Sequence, residues 1–107
     1  MVSVLEDEND YTNFIQNNRI LVAYFTAPWC QPCKAVSPVI DNLAIKYSGD
    51  VTFIKINLDN FGDFALDCNV EKIPTFLVYH KTKLVYRTTG VDVTKLIETI
   101  QELILDL

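Results

Sequence analysis

The chain has 107 residues, half of them hydrophobic, and carries a formal net charge of -5 at pH 7. That length suits one domain with a single core, and the acidic balance argues against a surface that binds nucleic-acid phosphates. The longest unbroken apolar run, residues 20–25, is far shorter than the ~20 residues that cross a bilayer, so we expect no membrane span.

The first half of the chain alternates between strand and helix patterns. Residues 2–5 form a short strand candidate, and the acidic residues after them suit the N-terminus of a helix. Residues 19–26 (RILVAYFT) are almost continuously apolar, which is typical of a strand buried on both faces. Apolar residues spaced three and four apart then predict a helix from Cys33 to about Gly49, and residues 51–57 (VTFIKIN) predict another strand.

The second half predicts a short helix, a hairpin and a final helix. Residues 61–68 are the helix candidate, and residues 75–80 and 83–89 are two strands joined by a tight turn. The final helix shows one apolar stripe, with Asp92 as its cap: Val93, Leu96, Ile97, Ile100, Leu103, Ile104 and Leu107. The order β-α-β-α-β-α-β-β-α predicts an α/β fold with helices on both faces of the sheet, parallel strands wherever a helix joins them, and an antiparallel hairpin at one edge.

The N-terminal sequence and the cysteine count predict where the protein works. MVSVLEDENDY lacks the basic start and long apolar stretch of a signal peptide. Three cysteines are too few for a disulfide scaffold, and a reducing compartment would not keep one. We therefore expect one cytoplasmic domain over residues 1–107.

Cys30 and Cys33 lie three positions apart, directly after the buried strand. At a helix N-terminus the unpaired backbone N–H groups and the dipole favour an anion, and for Cys30 that anion is the nucleophilic thiolate. Bringing a cysteine pKa from about 8.5 to about 7 takes about 2 kcal/mol. Cys33, one turn further on, should lie deeper. We therefore expect Cys30 to be exposed and to attack, and Cys33 to resolve the mixed disulfide. Pro32 suits the first turn because no N–H is needed there.

Two other interpretations of the cysteine pair remain open. A structural zinc site needs four ligands, and only Cys68 and His80 remain as soft candidates. The pair could also be a remnant without catalytic function. The position of the cysteine pair between a strand and a helix favours a redox function over the zinc site and over the non-catalytic remnant.

The segment WCQPCK after ILVAYFTAP, followed about forty residues later by KIPTF, resembles the thioredoxin family. The resemblance covers essentially the whole chain, and residues 53–59 (FIKINLD) match the central strand of that family. It implies the thioredoxin fold, with a mixed five-stranded sheet, and a monomer that reduces protein disulfides without a bound cofactor. The implied partners are disulfide-containing proteins and an NADPH-dependent thioredoxin reductase.

The resemblance also assigns roles to individual residues. It implies a cis peptide between Ile73 and Pro74 that lies against the cysteine pair and leaves the neighbouring backbone free to pair with an extended substrate. It places Trp29 on an apolar contact surface around Cys30. Pro38 falls inside the long helix, where its missing N–H should bend the helix.

The chain departs from the family at two places. Gln31 stands where the family usually has glycine, and the residues between the cysteines tune the redox potential. Tyr24 stands where the family usually has a buried aspartate that helps to deprotonate the resolving thiol, and a phenol is a poor base at neutral pH. We therefore expect a slower resolving step. Lys55, the usual partner of that aspartate, should reach solvent or another acceptor.

Cys68 and His80 have less defined roles. Cys68 is interpreted as a small buried hydrophobe of the short helix, with a regulatory or dimer-forming thiol as the alternative. His80 is predicted to face solvent near the hairpin turn, without a catalytic role.

Two other functions are compatible with the same fold. A disulfide oxidant or isomerase would share the site but have a less reducing potential. An adaptor in a larger assembly would use the fold only as a binding surface. Reduction of insulin by dithiothreitol and a titration of the redox potential would distinguish all three.

Overall fold

A computed structural model describes residues 2–106, and within them a five-stranded sheet is flanked by four helices. The elements are β1 (Val2–Val4), α1 (Asp10–Asn17), β2 (Ile20–Thr26), α2 (Gln31–Lys46), β3 (Thr52–Asn57), α3 (Leu58–Asp67), β4 (Thr75–His80), β5 (Lys83–Thr89) and α4 (Thr94–Leu105). The predicted order of elements is confirmed. The long helix α2 begins two residues before Cys33 and ends three before Gly49. No helix in this range is long and apolar enough to cross a membrane.

The strands lie in the order β1-β3-β2-β4-β5. β3 is parallel to both β1 and β2, and β4 is antiparallel to both β2 and β5, so the predicted mixed five-stranded sheet is confirmed. The expectation that every helix joins parallel strands is wrong for α3. After α3 the chain re-enters the sheet at the same end at which β3 finished, so β4 begins beside the last residues of β2 and β3. Phe25 of β2 is therefore paired with both Ile56 of β3 and Thr75 of β4.

β2 is the centre of two hydrophobic cores, one on each face of the sheet. Its residues Ile20 to Phe25 are all 1% exposed or less. Ile20, Val22 and Tyr24 pack on the face that carries α2 and α4, and Leu21, Ala23 and Phe25 pack on the face that carries α1 and α3. This alternation explains why the strand is a continuous apolar run, because both of its faces are covered.

The final helix covers the end of β4. Leu96 and Ile100 of its predicted stripe are fully buried, whereas Leu107 lies outside the described residues. The Asp92 carboxylate accepts the Thr94 N–H at 3.1 Å and so caps α4 from just before its first turn. His80 is only 9% exposed, and its Nε2 atom lies 3.7 Å from an Asp106 carboxylate oxygen at the end of α4. The prediction of a solvent-facing His80 is therefore wrong, since β4 is an internal strand.

The turn between β4 and β5 places a β-branched residue in the left-handed region. Lys81 has a φ of 50° and Thr82 a φ of 75°, the two positive values that suit a tight hairpin turn. A Cβ atom is unfavourable there, most of all in a branched side chain.

Thr82→Gly should therefore stabilise the protein by about 0.5 to 1 kcal/mol. The substitution removes the strain of a side chain in the left-handed region, and this gain is larger than the loss from the greater conformational entropy of glycine in the unfolded chain. The measurement is the urea midpoint at unchanged m-value. Thr12→Gly, at an exposed position inside α1, is the matched control and should destabilise the protein. A lower midpoint for Thr82→Gly would show that the turn does not strain this side chain.

Candidate active site

Three segments meet at one edge of the sheet. β2 ends at this edge and leads through residues 27–29 into α2. β3 also ends at this edge, where its last residue is the N-cap of α3, and β4 begins at it. The pairing of Thr26 with Asn57, and of Phe25 with Thr75, fixes these three ends side by side. The edge therefore brings together the cysteine pair, the start of α3 and the Ile73–Pro74 peptide.

Cys30 is the N-cap of α2 and is joined to Cys33 by a disulfide, with the Cα atoms 5.2 Å apart. Its Sγ atom accepts the Cys33 N–H at 3.3 Å. Its carbonyl oxygen accepts the Lys34 N–H at 3.1 Å, which begins the helical bonding. Pro32 lies in the first turn, where its missing N–H costs no bond. An unpaired helix N–H is thus aimed at the sulfur of Cys30, the arrangement that favours a thiolate.

Both cysteines of the disulfide are buried. Cys30 is 5% exposed and Cys33 is 2% exposed, and the two pack with Ala27 against Leu58 and Ile73. The expectation of an exposed Cys30 is therefore wrong for the oxidised protein, although Cys33 is the deeper of the two. The reason is that the Cys30 sulfur turns toward Cys33 and lies 3.8 Å from the carbonyl oxygen of Ile73.

The peptide between Ile73 and Pro74 is cis, as the resemblance implies. The Pro74 carbonyl accepts the N–H of Gly90, whose φ of 93° suits glycine. Within residues 2–106, neither the N–H nor the carbonyl of Ile73 has a backbone partner. The backbone beside Cys30 can therefore accept an extended chain from outside.

Trp29 is exposed, with 63% of its surface accessible. Its Nε1–H donates a hydrogen bond of 2.8 Å to the Asp59 carboxylate in the first turn of α3. The indole is thus fixed on the surface next to Cys30, where it was predicted to lie. Sequence reasoning missed Asp59. Asp59 follows the end of β3 by two residues, and β3 ends beside β2, so its place in the sequence is the signal that could have identified it.

Tyr24 lies beneath the pair and is completely buried. Its ring stacks on Phe76, with centroids 5.0 Å apart, and its hydroxyl donates to the Cys33 carbonyl at 3.2 Å. It is paired across the strands with Lys55, which is half-buried and lines a cavity beside Cys33. The site therefore has a hydrogen-bonded phenol where the family usually has an acid. The slower resolving step remains a prediction.

Gln31 and Pro38 are two exposed residues in the first half of α2. Gln31 is its first residue and points to solvent, so its influence on the redox potential remains a prediction. Pro38 lies inside the helix and leaves the Lys34 carbonyl without its usual helical partner.

Cys68 lies at the C-cap of α3, away from the pair. The Arg87 guanidinium donates to its carbonyl oxygen at 2.6 Å and to that of Asn69 at 3.0 Å. Burial raises the pKa of the half-buried Cys68 thiol, and the positive charge of Arg87 opposes this shift. In the part of the chain that the structure describes, no three His, Cys, Asp or Glu side chains converge as metal ligands, so Cys68 and His80 do not complete a site with the pair.

Comparison with known proteins gives consistent matches. The model of the thioredoxin family matches residues 1–102. The chain is similar to the thioredoxin of Gallus gallus, with 41% identity over 86 residues, covering 80% of this chain and 81% of that protein. It is similar to the thioredoxin of Rattus norvegicus, with 35% identity over 104 residues, covering 95% and 98%. Among solved structures, it is similar to oxidised mitochondrial thioredoxin 3 of Saccharomyces cerevisiae, with a TM-score of 0.88, 33% identity and 95% of each chain covered.

Cys68 should react with iodoacetamide more slowly than Cys30 in the reduced protein at pH 7. The raised pKa leaves less Cys68 thiolate at this pH, and its labelling should speed up as the pH rises toward 9. Mass spectrometry of peptides from a time course would measure both rates, and Cys68→Ser should leave the labelling of Cys30 unchanged. Labelling of Cys68 as fast as that of Cys30 would instead favour the regulatory thiol.

Proposed function

Because the chain belongs to the thioredoxin family, we propose that its Cys30–Cys33 pair carries the dithiol exchange by which it reduces disulfides. The chain is a thiol–disulfide oxidoreductase, and disulfide-containing proteins are its substrates. The observation that carries the proposal is the cap position of Cys30. Its sulfur accepts the Cys33 N–H and is bonded to the sulfur one turn deeper.

In the first step, the Cys30 thiolate attacks one sulfur of the substrate disulfide. A bond forms between Cys30 Sγ and that sulfur, the substrate S–S bond breaks, and the other substrate sulfur leaves with the electron pair and takes up a proton. The Cys33 N–H stabilises the Cys30 thiolate before the attack. The unpaired backbone of Ile73 holds the substrate as an extended segment next to Cys30.

In the second step, Cys33 loses its proton and attacks Cys30 Sγ. The Cys30–Cys33 bond forms, the bond from Cys30 to the substrate breaks, and the substrate leaves as a second thiolate. Both electrons come from the two cysteine sulfurs. The product state of the protein is the disulfide, with Cα atoms 5.2 Å apart.

The Cys30–Cys33 disulfide must be reduced again before the next turnover. We assign this step to an NADPH-dependent thioredoxin reductase, so that the protein passes electrons from NADPH to substrates as a cytoplasmic monomer. The half-buried thiol of Cys68, which is not in a disulfide, suits a reducing compartment. Trp29 and Gln31 are exposed beside Cys30 and would form part of the surface that meets both partners.

Cys30→Ser should abolish the protein's acceleration of insulin reduction by dithiothreitol, whereas Cys33→Ser, reduced and then freed of dithiothreitol, should still attack insulin and accumulate a mixed disulfide through Cys30. The reason is that only Cys30 has the helix N–H aimed at its sulfur. Non-reducing electrophoresis and mass spectrometry would measure the trapped species. Cys68→Ser is the matched control and should keep full turnover. Trapping by Cys30→Ser but not by Cys33→Ser would reverse the two roles.

A further inference from the structure

The backbone beside Cys30 belongs to a loop that is not held by hydrogen bonds of its own. The loop runs from Cys68, the C-cap of α3, to Pro74, just before β4. Within residues 2–106, the backbone N–H and carbonyl groups of residues 71–73 take part in no backbone–backbone hydrogen bond. The same lack of partners that leaves Ile73 free to pair with a substrate makes its position depend on what holds the two ends of the loop.

The end of the loop next to β4 is fixed inside the protein. The Pro74 carbonyl accepts the Gly90 N–H at 2.9 Å, and Thr75 pairs with Thr89 of β5. Thr75 is only 1% exposed, and its hydroxyl donates a hydrogen bond to the Lys72 carbonyl. This end of the loop is therefore tied to the sheet.

The end of the loop next to α3 is held partly from the interior and partly from the surface. Val70 is 3% exposed, and its N–H donates to the Ala65 carbonyl at 2.9 Å. On the outer side, the exposed Arg87 side chain donates to the Cys68 carbonyl at 2.6 Å and to the Asn69 carbonyl at 3.0 Å. In the described part of the chain no backbone N–H reaches these two carbonyls, so the guanidinium is the donor that satisfies them.

The chemistry of Arg87 suits it to hold two carbonyls at once. A guanidinium presents several N–H groups in a rigid fork, so one side chain can fix two acceptors relative to each other. Asn69 has a φ of 59°, and the chain turns out of α3 at this residue. Arg87 lies two residues before Thr89 on β5, so the same strand holds both ends of the loop.

We propose that Arg87 is a positioning residue for the first step of the exchange, because it keeps the Ile73 backbone in place to pair with an extended substrate next to Cys30. This inference rests on the proposed function, since it concerns how the substrate of that reaction is held. Arg87 donates to loop carbonyls and not to the cysteine pair, so it acts through the chain from Asn69 to Ile73. A loop without this support must be ordered when the substrate binds, which weakens the binding of an extended chain and leaves the thiol unchanged.

The test compares two disulfides in a protein that carries Cys33→Ser and Cys68→Ser, so that only Cys30 can react. One is a disulfide-linked pair of short uncharged peptides, which can pair with the Ile73 backbone, and the other is hydroxyethyl disulfide, which has no peptide backbone. Rapid acid quench and mass spectrometry measure how fast each forms a mixed disulfide. Arg87→Met should slow the peptide reaction about fivefold, as expected for the loss of hydrogen bonds from an exposed charged group, and should leave the hydroxyethyl reaction unchanged.

Arg19→Met is the matched control. Arg19 is also exposed, and its guanidinium donates to a carbonyl near the end of a helix, that of Leu103 in α4, at 3.5 Å. It lies just before β2, at the opposite end of that strand from the cysteine pair. Arg19→Met removes the same charge and should leave both rates unchanged. Arg87→Lys keeps a cationic donor for one of the two carbonyls, so its peptide rate should lie between those of Arg87→Met and the parent protein.

Equal peptide rates in Arg87→Met and the parent protein would overturn the proposal. An equal loss of rate with both disulfides would also overturn it, because the effect would then lie on the Cys30 thiol. Arg87→Gln provides a second neutral variant in case circular dichroism shows that Arg87→Met does not fold. Failure of the parent protein to form a mixed disulfide with either reagent would contradict the proposed function, whereas an unchanged peptide rate would contradict only the role of Arg87.

Discussion

The site depends on the backbone N–H groups at the start of α2, which need a hydrogen-bond acceptor. They have no partner inside the helix, and the Cys33 N–H meets the sulfur of Cys30 at 3.3 Å. A helix start favours the anionic form of a sulfur in this position relative to a cysteine in water, which makes it a better nucleophile at neutral pH. The place where α2 begins is set by β2, because a strand packed on both faces can neither slide nor rotate without disrupting two cores.

The antiparallel direction of β4 completes the site. If β4 ran parallel to β2, its first residue would lie at the opposite edge of the sheet, and Pro74 would be far from the cysteines. Instead Thr75 pairs with Phe25, and the Ile73 carbonyl lies 3.8 Å from Cys30 Sγ. The return of the chain after α3 thus gives the nucleophile an unpaired backbone segment for substrate. At the same edge, the hydrogen bond from the Trp29 indole N–H to the Asp59 carboxylate holds Trp29 in place.

The sequence predicted most of the fold and the centre of the site, because those features are local. Strand and helix periodicity predicted the order of elements, and the spacing of Cys30 and Cys33 predicted their place at a helix start. Direction and burial depend on distant contacts, so the antiparallel β4 and the buried His80 were not predictable from a local pattern. The cavity shared by Cys33 and Lys55 depends on the register of β2 against β3, which no single segment encodes.

Titration of the Cys30 thiol, followed by the ultraviolet absorbance of its thiolate, tests the central claim most directly. The protein for this measurement carries Cys33→Ser and Cys68→Ser, which leave one thiol and keep the backbone N–H at position 33. The account predicts a midpoint near pH 7 in the folded protein, about 1.5 units below the value of about 8.5 that the same chain should show when unfolded in urea. A folded midpoint at or above about 8.5 would show that the start of α2 does not stabilise the thiolate.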